Sequence, residues 1–353
     1  MILVVAIRAR CENNAQYSRR ILEASAKEVS ELGLRNHDYS GMTVIVGPTA
    51  VGKSELALRL AECFPAEIIS ADSRQVYRQM DIGTNKPSLA ERAAVPHHVV
   101  DVVEPDEDFS LATYHELAAE AMKAIEQRGK LSLLVGGSGL YVWSLVEGWA
   151  IPQVGPDEEL RRRLEARAEQ EGSDGLYQEL QDIDPLAAAR IDPRNARRII
   201  RALEIHHTTG QLPSRLRHKE APGFALLVIG LTQDRGELYR RIDCRVDRMI
   251  EGGLVEETEQ LLKRGYSPSL SSMSGIGYKQ IGQFLRGELT LPEAEDRIKH
   301  ETHRLARRQY AWFRLRDKRI HWLNVGEAEA RAGSDLIGVA LDKARALVEG
   351  FIS

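Results

Sequence analysis

A glycine-rich loop near residue 50 carries the residue types and spacing needed to bind a phosphorylated substrate. It reads Gly47-Pro48-Thr49-Ala50-Val51-Gly52-Lys53-Ser54, the G-x-x-x-x-G-K-S pattern of a phosphate-binding loop. The backbone N–H groups of such a loop converge on phosphate oxygens, and the helix that follows adds its positive end. Lys53 supplies a full positive charge, and Ser54 is the expected Mg²⁺ ligand. The loop alone is typical of many unrelated nucleotide-binding proteins.

A second block places a carboxylate, Asp72, beside this loop. It reads Ala71-Asp72-Ser73-Arg74-Gln75-Val76-Tyr77 and follows a short apolar run. Asp72 at the end of a strand is either a Mg²⁺ ligand, as in many P-loop enzymes, or a general base that faces the cleft. The apolar run 131–135 leads into Gly136 and Gly137 without an acidic residue, which weakens an interpretation as an ATP-hydrolysing enzyme.

A serine within a glycine-rich turn is a third candidate for chemistry. The turn reads Gly136-Gly137-Ser138-Gly139-Leu140-Tyr141. The hydroxyl of Ser138 could donate to a leaving-group oxygen, or it could cap the helix that begins there. Both roles are compatible.

Arginines concentrate in three segments. Residues 190–219 combine many arginines with few acids, residues 304–316 interleave arginines with aromatics, and a helix over 235–248 carries Arg241 and Arg245 on one face. Arginine beside aromatic residues suits RNA, and paired guanidinium groups suit a diphosphate. The alternative for each segment is a solvated helix face with surface ion pairs.

Alternating strands and helices must position these residues. We predict strands over 42–46, 67–70, 99–103, 131–135 and 225–231, with helices over 53–63 and 110–128 and a last helix over 292–315. This pattern predicts an α/β fold: a P-loop NTPase-like parallel sheet flanked by helices, with an inserted all-helical subdomain. Because ligands bind at the carboxyl ends of parallel strands, Asp72, Ser138 and the phosphate loop should share one cleft.

The predicted domains follow from changes in composition along the chain. Residues 1–41 are an N-terminal extension, which is either poorly ordered or an artefact of the assumed start site, or else a genuine helical appendage. Residues 42–152 and 222–325 form the catalytic core, 153–221 the helical insertion and 326–353 a helical tail. Hydrophobic residues make up 43% of the chain and the net charge is −4, which excludes a uniformly basic nucleic-acid coat. Three widely spaced cysteines favour reduced thiols, and apolar runs are too short to cross a membrane.

The combined motifs resemble the tRNA dimethylallyltransferases of bacterial type. The resemblance covers residues 42 to about 322 and is specific, since these blocks rarely occur together. The matching blocks are 47–54, 71–87 (Ala-Asp-Ser-Arg-Gln-Val-Tyr-Arg-Gln-Met-Asp-Ile-Gly-Thr-Asn-Lys-Pro), Pro96-His97-His98, Val135 to Tyr141 and Gly275-Ile276-Gly277-Tyr278-Lys279. The N-terminal extension has no counterpart in that pattern.

The resemblance implies a reaction and a set of roles. Dimethylallyl diphosphate would donate its five-carbon group to the N6 amine of the adenosine after the tRNA anticodon. Asp72 would be the base, Ser138 and Lys53 would assist catalysis, residues 47–54 and Arg241 would hold the diphosphate, and Ser54 would bind Mg²⁺. The implied tRNA-contacting residues are Asp72, Ser73, Arg74, Gln75, Arg161, Arg197, Arg198, Ile199, Ile200, Arg201, Ser274, Gly275, Ile276, Gly277, Tyr278 and Lys279. We expect a cytoplasmic monomer whose partners are the tRNA anticodon stem-loop and dimethylallyl diphosphate.

Three other functions share parts of this pattern. An isopentenyltransferase acting on free AMP, ADP or ATP would have the phosphate loop and Asp72 but should lack the helical insertion and the basic segments. A small-molecule kinase would consume ATP. A non-catalytic ATP sensor that binds nucleic acid would bind tRNA without prenyl transfer.

Overall fold

The computed structural model describes residues 41–152, 154–155, 157–216, 218–326 and 337–353. Apart from Gly41, the predicted N-terminal extension lies outside these residues, as does the part of the C-terminal tail over 327–336. The described residues form two compact units. One contains the chain up to Val142 and from Phe224 onward, and the other is Trp143–Gly223.

The first unit is built on a six-stranded sheet whose paired strands all run parallel. The strands are β1 (Met42–Val46), β2 (Ala66–Ala71), β3 (His97–His98), β4 (Leu131–Gly136), β5 (Leu226–Thr232) and β6 (Ile320–Asn324). Their order across the sheet is β3-β2-β4-β1-β5-β6. This arrangement confirms the predicted α/β fold with a parallel sheet.

Helices cover this sheet and make up the second unit. Those of the first unit are α1 (Lys53–Cys63), α2 (Leu89–Ala94), α3 (Leu111–Gln127), α4 (Gly139–Val146, which continues into the second unit), α10 (Arg235–Glu251), α11 (Leu254–Lys263), α12 (Tyr278–Leu285), α13 (Leu291–Trp312) and α14 (Gly338–Ile352). Those of the second unit are α5 (Glu158–Glu171), α6 (Asp174–Ile183), α7 (Pro185–Ala188), α8 (Ala196–Thr209) and α9 (Pro213–Leu216). Within the described ranges, no helix is both long and apolar enough to span a bilayer.

The central strands are apolar because both faces of the sheet are covered. Every residue of β1, β2 and β4 is buried, and the same strands read as nearly continuous apolar runs in the sequence. Ser110 caps α3 by accepting a hydrogen bond from the Thr113 N–H.

Two sequence-based strand assignments need correction. Residues 99–103 are not a strand of the sheet, because Val99 and Asp101 adopt left-handed φ angles of 60° and 56° that break an extended run. Val102 and Val103 instead bond to the loop after β2, where both donate to the Val76 carbonyl. The sequence analysis also missed β6, an edge strand in which Ile320 and Leu323 are buried and the other three residues are partly or fully exposed.

The second unit has its own small core. Leu164, Leu180, Ile199 and Leu203 are buried together in it. Its described residues contain helices and one isolated antiparallel bridge between Trp149 and Lys219.

The buried carboxylate of Glu67 is hydrogen-bonded to three cationic or imidazole side chains near one edge of the sheet. Glu67 on β2 is 2% exposed, and Arg128 and Lys130 donate to its oxygens over 2.6–3.0 Å. His98 Nε2 lies 2.7 Å from Oε2 of the same carboxylate. Burial alone would raise the pKa of Glu67, but hydrogen bonds from Arg128, His98 and Lys130 outweigh it and lower that pKa to about 2.

We predict that Glu67→Gln lowers the free energy of unfolding at neutral pH by about 3 kcal/mol, since each unit of pKa shift corresponds to about 1.4 kcal/mol. The folded-state pKa of Glu67 is depressed, so its contribution is complete above the unfolded-state pKa near 4.5 and fades as the pH falls towards 2. Urea unfolding of the wild type and of Glu67→Gln, at steps from pH 7 down to pH 2, measures this difference and its loss at low pH. The surface variant Glu259→Gln is the control, and equal loss from both variants would contradict the prediction.

Candidate active site

The phosphate loop joins the end of β1 to the start of α1. Gly52 caps α1 with a φ of 108°, a left-handed conformation that favours glycine. The side chain of Val51 is fully buried and anchors the loop in the core. The Lys53 ammonium donates a hydrogen bond of 2.8 Å to the Pro48 carbonyl, so it folds back across the loop.

Three charged groups interact around this loop. Burial lowers the pKa of Lys53 to about 8; the Asp72 carboxylate opposes this fall and the Arg245 guanidinium adds to it. Burial likewise lowers the pKa of Arg245 to about 10, again opposed by Asp72. Two cations therefore share one carboxylate in a poorly solvated place, an arrangement that favours an added anion.

Thr49 is held from two sides. Its hydroxyl accepts a hydrogen bond of 3.2 Å from Nη1 of Arg245 on α10. Its backbone N–H donates over 2.7 Å to Oε1 of Gln309 on α13. Both partners come from helices distant in sequence, so the loop is fixed by the fold and not by its own sequence alone.

Asp72 and Ser138 are connected where β2 and β4 end. The Asp72 carboxylate accepts a hydrogen bond of 2.9 Å from the Arg74 N–H, which fixes the turn after β2. The Ser138 hydroxyl accepts from the Ser73 N–H over 3.1 Å, and the Ser138 N–H donates to the Ala71 carbonyl over 3.1 Å. The two turns are thus joined directly.

These residues line one cleft of about 1130 Å³. Thr49, Asp72, Ser138, Arg245, Gln309 and Trp312 contribute to its wall. Trp312 and Leu140 are each 41% exposed, which gives the cleft an apolar side next to its charged one. A charged end and an apolar side suit an amphiphilic substrate.

Arg241 and Arg245 lie on one face of α10, and Arg245 lines the cleft. Arg241 is not one of the described residues that line it. Arg241 lies next to the loop, with Nη1 3.4 Å from Oε1 of Gln233 and Nη2 3.7 Å from the position a Cβ on Gly52 would take. The sequence suggested both arginines, and the resemblance favoured Arg241.

The predicted RNA-contacting segments 72–75 and 274–279 are tied together. The Arg74 guanidinium donates over 2.6 Å to the Ser271 carbonyl and lies 3.5 Å from the Ser274 hydroxyl. The side chain of Gln75 is held by Ser70 and by the Asn85 carbonyl. Ser274 and Lys279 are exposed, Ile276 is half-buried, and Gly275 and Gly277 are buried.

Glu257 on α11, which sequence reasoning missed, organises the same region. Its carboxylate accepts from the backbone N–H groups of Asp81, Ile82 and Gly83 over 2.9–3.2 Å. It also accepts a hydrogen bond of 2.6 Å from the Tyr278 hydroxyl. Burial and this carboxylate raise the pKa of Tyr278 well above its usual range, so the side chain is a buried donor. The Tyr278 side chain is thus buried and bonded to Glu257, and an RNA contact at this position stays a prediction.

The predicted contacts in the second unit also divide into exposed and buried groups. Arg197 and Arg198 are exposed, whereas Ile199 and Ile200 are buried in the core of the unit. RNA contacts at these four positions stay predictions. Arg161 and Arg201 both pair with Glu204, a fully buried carboxylate whose pKa they lower against the effect of burial. These two arginines have a structural role whatever else they bind.

The candidate metal ligand in this site is the Ser54 hydroxyl. No group of three or more His, Cys, Asp or Glu residues with the geometry to hold a metal occurs in the described residues. Ser54 is exposed at the start of α1, and a hydroxyl of this kind suits Mg²⁺, which usually keeps several waters and binds through phosphate oxygens. Mg²⁺ binding by Ser54 stays a prediction.

Comparison with known proteins identifies the family to which this chain belongs. The IPP transferase family model matches residues 75–316. The tRNA dimethylallyltransferase of Thermomicrobium roseum is 51% identical over 284 residues, which cover 80% of this chain and 86% of the relative. That of Roseiflexus castenholzii is 53% identical over 273 residues, covering 77% and 89%.

Solved structures agree with these relatives. The full-length tRNA isopentenylpyrophosphate transferase of Bacillus halodurans shares 39% identity at a TM-score of 0.64, covering 89% of this chain and 97% of that one. A eukaryotic dimethylallyltransferase acting on tRNA shares 29% identity at a TM-score of 0.72, covering 88% and 79%. The predicted resemblance is confirmed, and the chain belongs to the IPP transferase family, the family of the tRNA dimethylallyltransferases.

Proposed function

We propose that this enzyme transfers the dimethylallyl group of dimethylallyl diphosphate to the exocyclic N6 amine of the adenosine that follows the anticodon in tRNA. The observation that carries the proposal is the shared cleft, in which the phosphate loop meets Asp72 and Ser138. It is supported by relatives that are named as dimethylallyltransferases and as acting on tRNA. No separate phosphate-transfer machinery is needed to explain the site.

The phosphate loop is the proposed diphosphate site. The loop N–H groups, Lys53 and Arg245 present positive charge to one point, and the depressed pKa of Lys53 reflects a desolvated cation that an anionic ligand would stabilise. Arg241, beside Gly52, adds a second guanidinium within reach of the loop. Mg²⁺, held by the Ser54 hydroxyl, would neutralise part of the charge on the leaving diphosphate.

Asp72 is the proposed general base. The adenine N6 amine is a weak nucleophile, because its lone pair is delocalised into the ring. As the bond from N6 to C1 of the dimethylallyl group forms, the bond from C1 to the diphosphate oxygen breaks, and one N6 proton passes to the Asp72 carboxylate. Diphosphate leaves with the electron pair of the broken bond. The Ser138 hydroxyl, on the joined turn, would donate to the bridging oxygen as charge develops there.

The RNA is proposed to enter as a flipped nucleotide. A base inside the anticodon stack cannot reach the cleft, so the target adenosine must leave its stack. Trp312, which is partly exposed on the cleft wall, offers an aromatic face for it. The exposed Arg197 and Arg198 suit contacts with the phosphate backbone. We infer a cytoplasmic monomer, since tRNA is a cytoplasmic substrate and the cysteines of the described residues are free thiols.

The direct test offers radiolabelled dimethylallyl diphosphate together with either bulk tRNA or AMP. We expect label on tRNA only, and hydrolysis of that tRNA should yield N6-dimethylallyladenosine. Label on AMP at a comparable rate would instead support an enzyme that acts on free nucleotides. Consumption of ATP without prenyl transfer would support a kinase.

We predict that Asp72→Asn lowers kcat about 10²- to 10⁴-fold, the usual contribution of a general base. Asparagine keeps the oxygen that accepts from the Arg74 N–H, so the turn should survive. Binding of tRNA should change less than threefold, because the turn that carries residue 72 is retained. Single-turnover assays and equilibrium binding measure these quantities.

Asp108→Asn, on an exposed loop, is the matched control and should behave as wild type. Retention of near wild-type transfer by the Asp72 variant would remove this residue as the base. Loss of tRNA binding in that variant would show that Asp72 acts in substrate recognition.

A further inference from the structure

Gln309 is a buried polar residue that the proposed mechanism leaves without a role. It lies near the end of α13 and is only 8% exposed, yet it forms part of the cleft wall. Its Oε1 accepts a hydrogen bond of 2.7 Å from the Thr49 N–H. Its Nε2 donates over 3.1 Å to the Gly137 carbonyl.

The partners of this amide fix its orientation. A backbone N–H can only donate and a backbone carbonyl can only accept, so one placement of the amide oxygen and nitrogen satisfies both. The amide therefore forms a bridge between the phosphate loop and the turn that carries Ser138. The bond to Gly137 is buried and the bond to Thr49 is partly buried, so the loss of either one is costly.

The glycine at position 137 fits this bridge. A Cβ on Gly137 would lie 2.1 Å from Nε2 of Gln309, so any larger residue would displace the amide. Gly137 does not have a positive φ angle. Glycine is therefore required here because a side chain would not fit, and not because of the backbone conformation. The Gly47 carbonyl lies 3.6 Å from the same Cβ position, which shows how closely the loop and the turn approach.

We propose that Gln309 is a positioning residue that holds the phosphate loop and the Ser138 turn at a fixed spacing. This spacing places the bridging oxygen of a bound diphosphate next to the Ser138 hydroxyl. The inference rests on the proposed function, because it takes the loop as the diphosphate site. The rival is that Gln309 competes with phosphate for the Thr49 N–H, in which case its removal would tighten binding.

The first test uses Gln309→Met, which keeps the length of the side chain and removes both hydrogen bonds. We expect pyrophosphate binding, measured by calorimetry, to weaken about tenfold, in line with the loss of one buried and one partly buried hydrogen bond. The KM for dimethylallyl diphosphate should rise and kcat should fall, while the KM for tRNA stays within twofold. Gln178→Met, at an exposed position of α6, is the control. Unchanged or tighter pyrophosphate binding would overturn the proposal.

A double-mutant cycle supplies the second test. Gly137→Ala should weaken pyrophosphate binding by pushing the Gln309 amide away, while Gln309→Ala removes the amide itself. If both act through one bridge, the double variant binds no worse than Gly137→Ala alone. Additive losses would contradict the bridge. Thermal unfolding of each variant separates a change in binding from a loss of fold.

Lys53→Met separates this inference from the proposed function. It should abolish most pyrophosphate binding, since it removes the charge at the loop. Normal binding by the Lys53 variant would mean that the loop is not the diphosphate site, and the proposed function would fail with it. Weak binding by the Lys53 variant together with normal binding by the Gln309 variant would overturn only the role of Gln309.

Discussion

The excess of positive over negative charge around one glycine-rich loop is the constraint on which the site depends. Lys53 and Arg245 lie in poorly solvated positions with Asp72 as their shared counter-charge, and burial depresses the pKa of both cations. Keeping two cations out of water is unfavourable, so the rest of the fold must hold them in place. A bound diphosphate would supply the missing negative charge. The same arrangement keeps Asp72 beside the phosphate loop.

The parallel sheet meets this constraint by bringing distant turns to one edge. The paired strands β2, β4 and β1 end together, so the turns that carry Asp72 and Ser138 lie beside the phosphate loop. Helices then fix the loop from outside: α10 through Arg245 and α13 through Gln309. Glu257 on α11 fixes residues 81–83 in a similar way, because its carboxylate accepts hydrogen bonds from their three successive backbone N–H groups.

Local patterns were sufficient to predict which groups the fold brings together in one cleft. The phosphate loop, Asp72 and Ser138 each follow an apolar run, and parallel strands place such positions at one edge. The supporting residues could not be found this way. Gln309 contacts a residue 260 positions away, and Glu257 lies outside every recognisable motif. Likewise, the spacing of Arg241 and Arg245 placed both on one helix face, but only the packing of α10 against the loop decides which one reaches the cleft. The apolar sequence of residues 99–103 favoured a strand, but the left-handed backbone at Val99 prevents one.

The geometry of the ternary complex tests the central claim most directly. The measurement is a crystal structure with an anticodon stem-loop RNA and an unreactive thiolo analogue of dimethylallyl diphosphate. The account predicts the diphosphate on the N–H groups of residues 47–54 and the adenosine N6 within hydrogen-bond distance, about 3 Å, of the Asp72 carboxylate. An adenosine N6 that faces away from Asp72, or a diphosphate bound elsewhere, would contradict it.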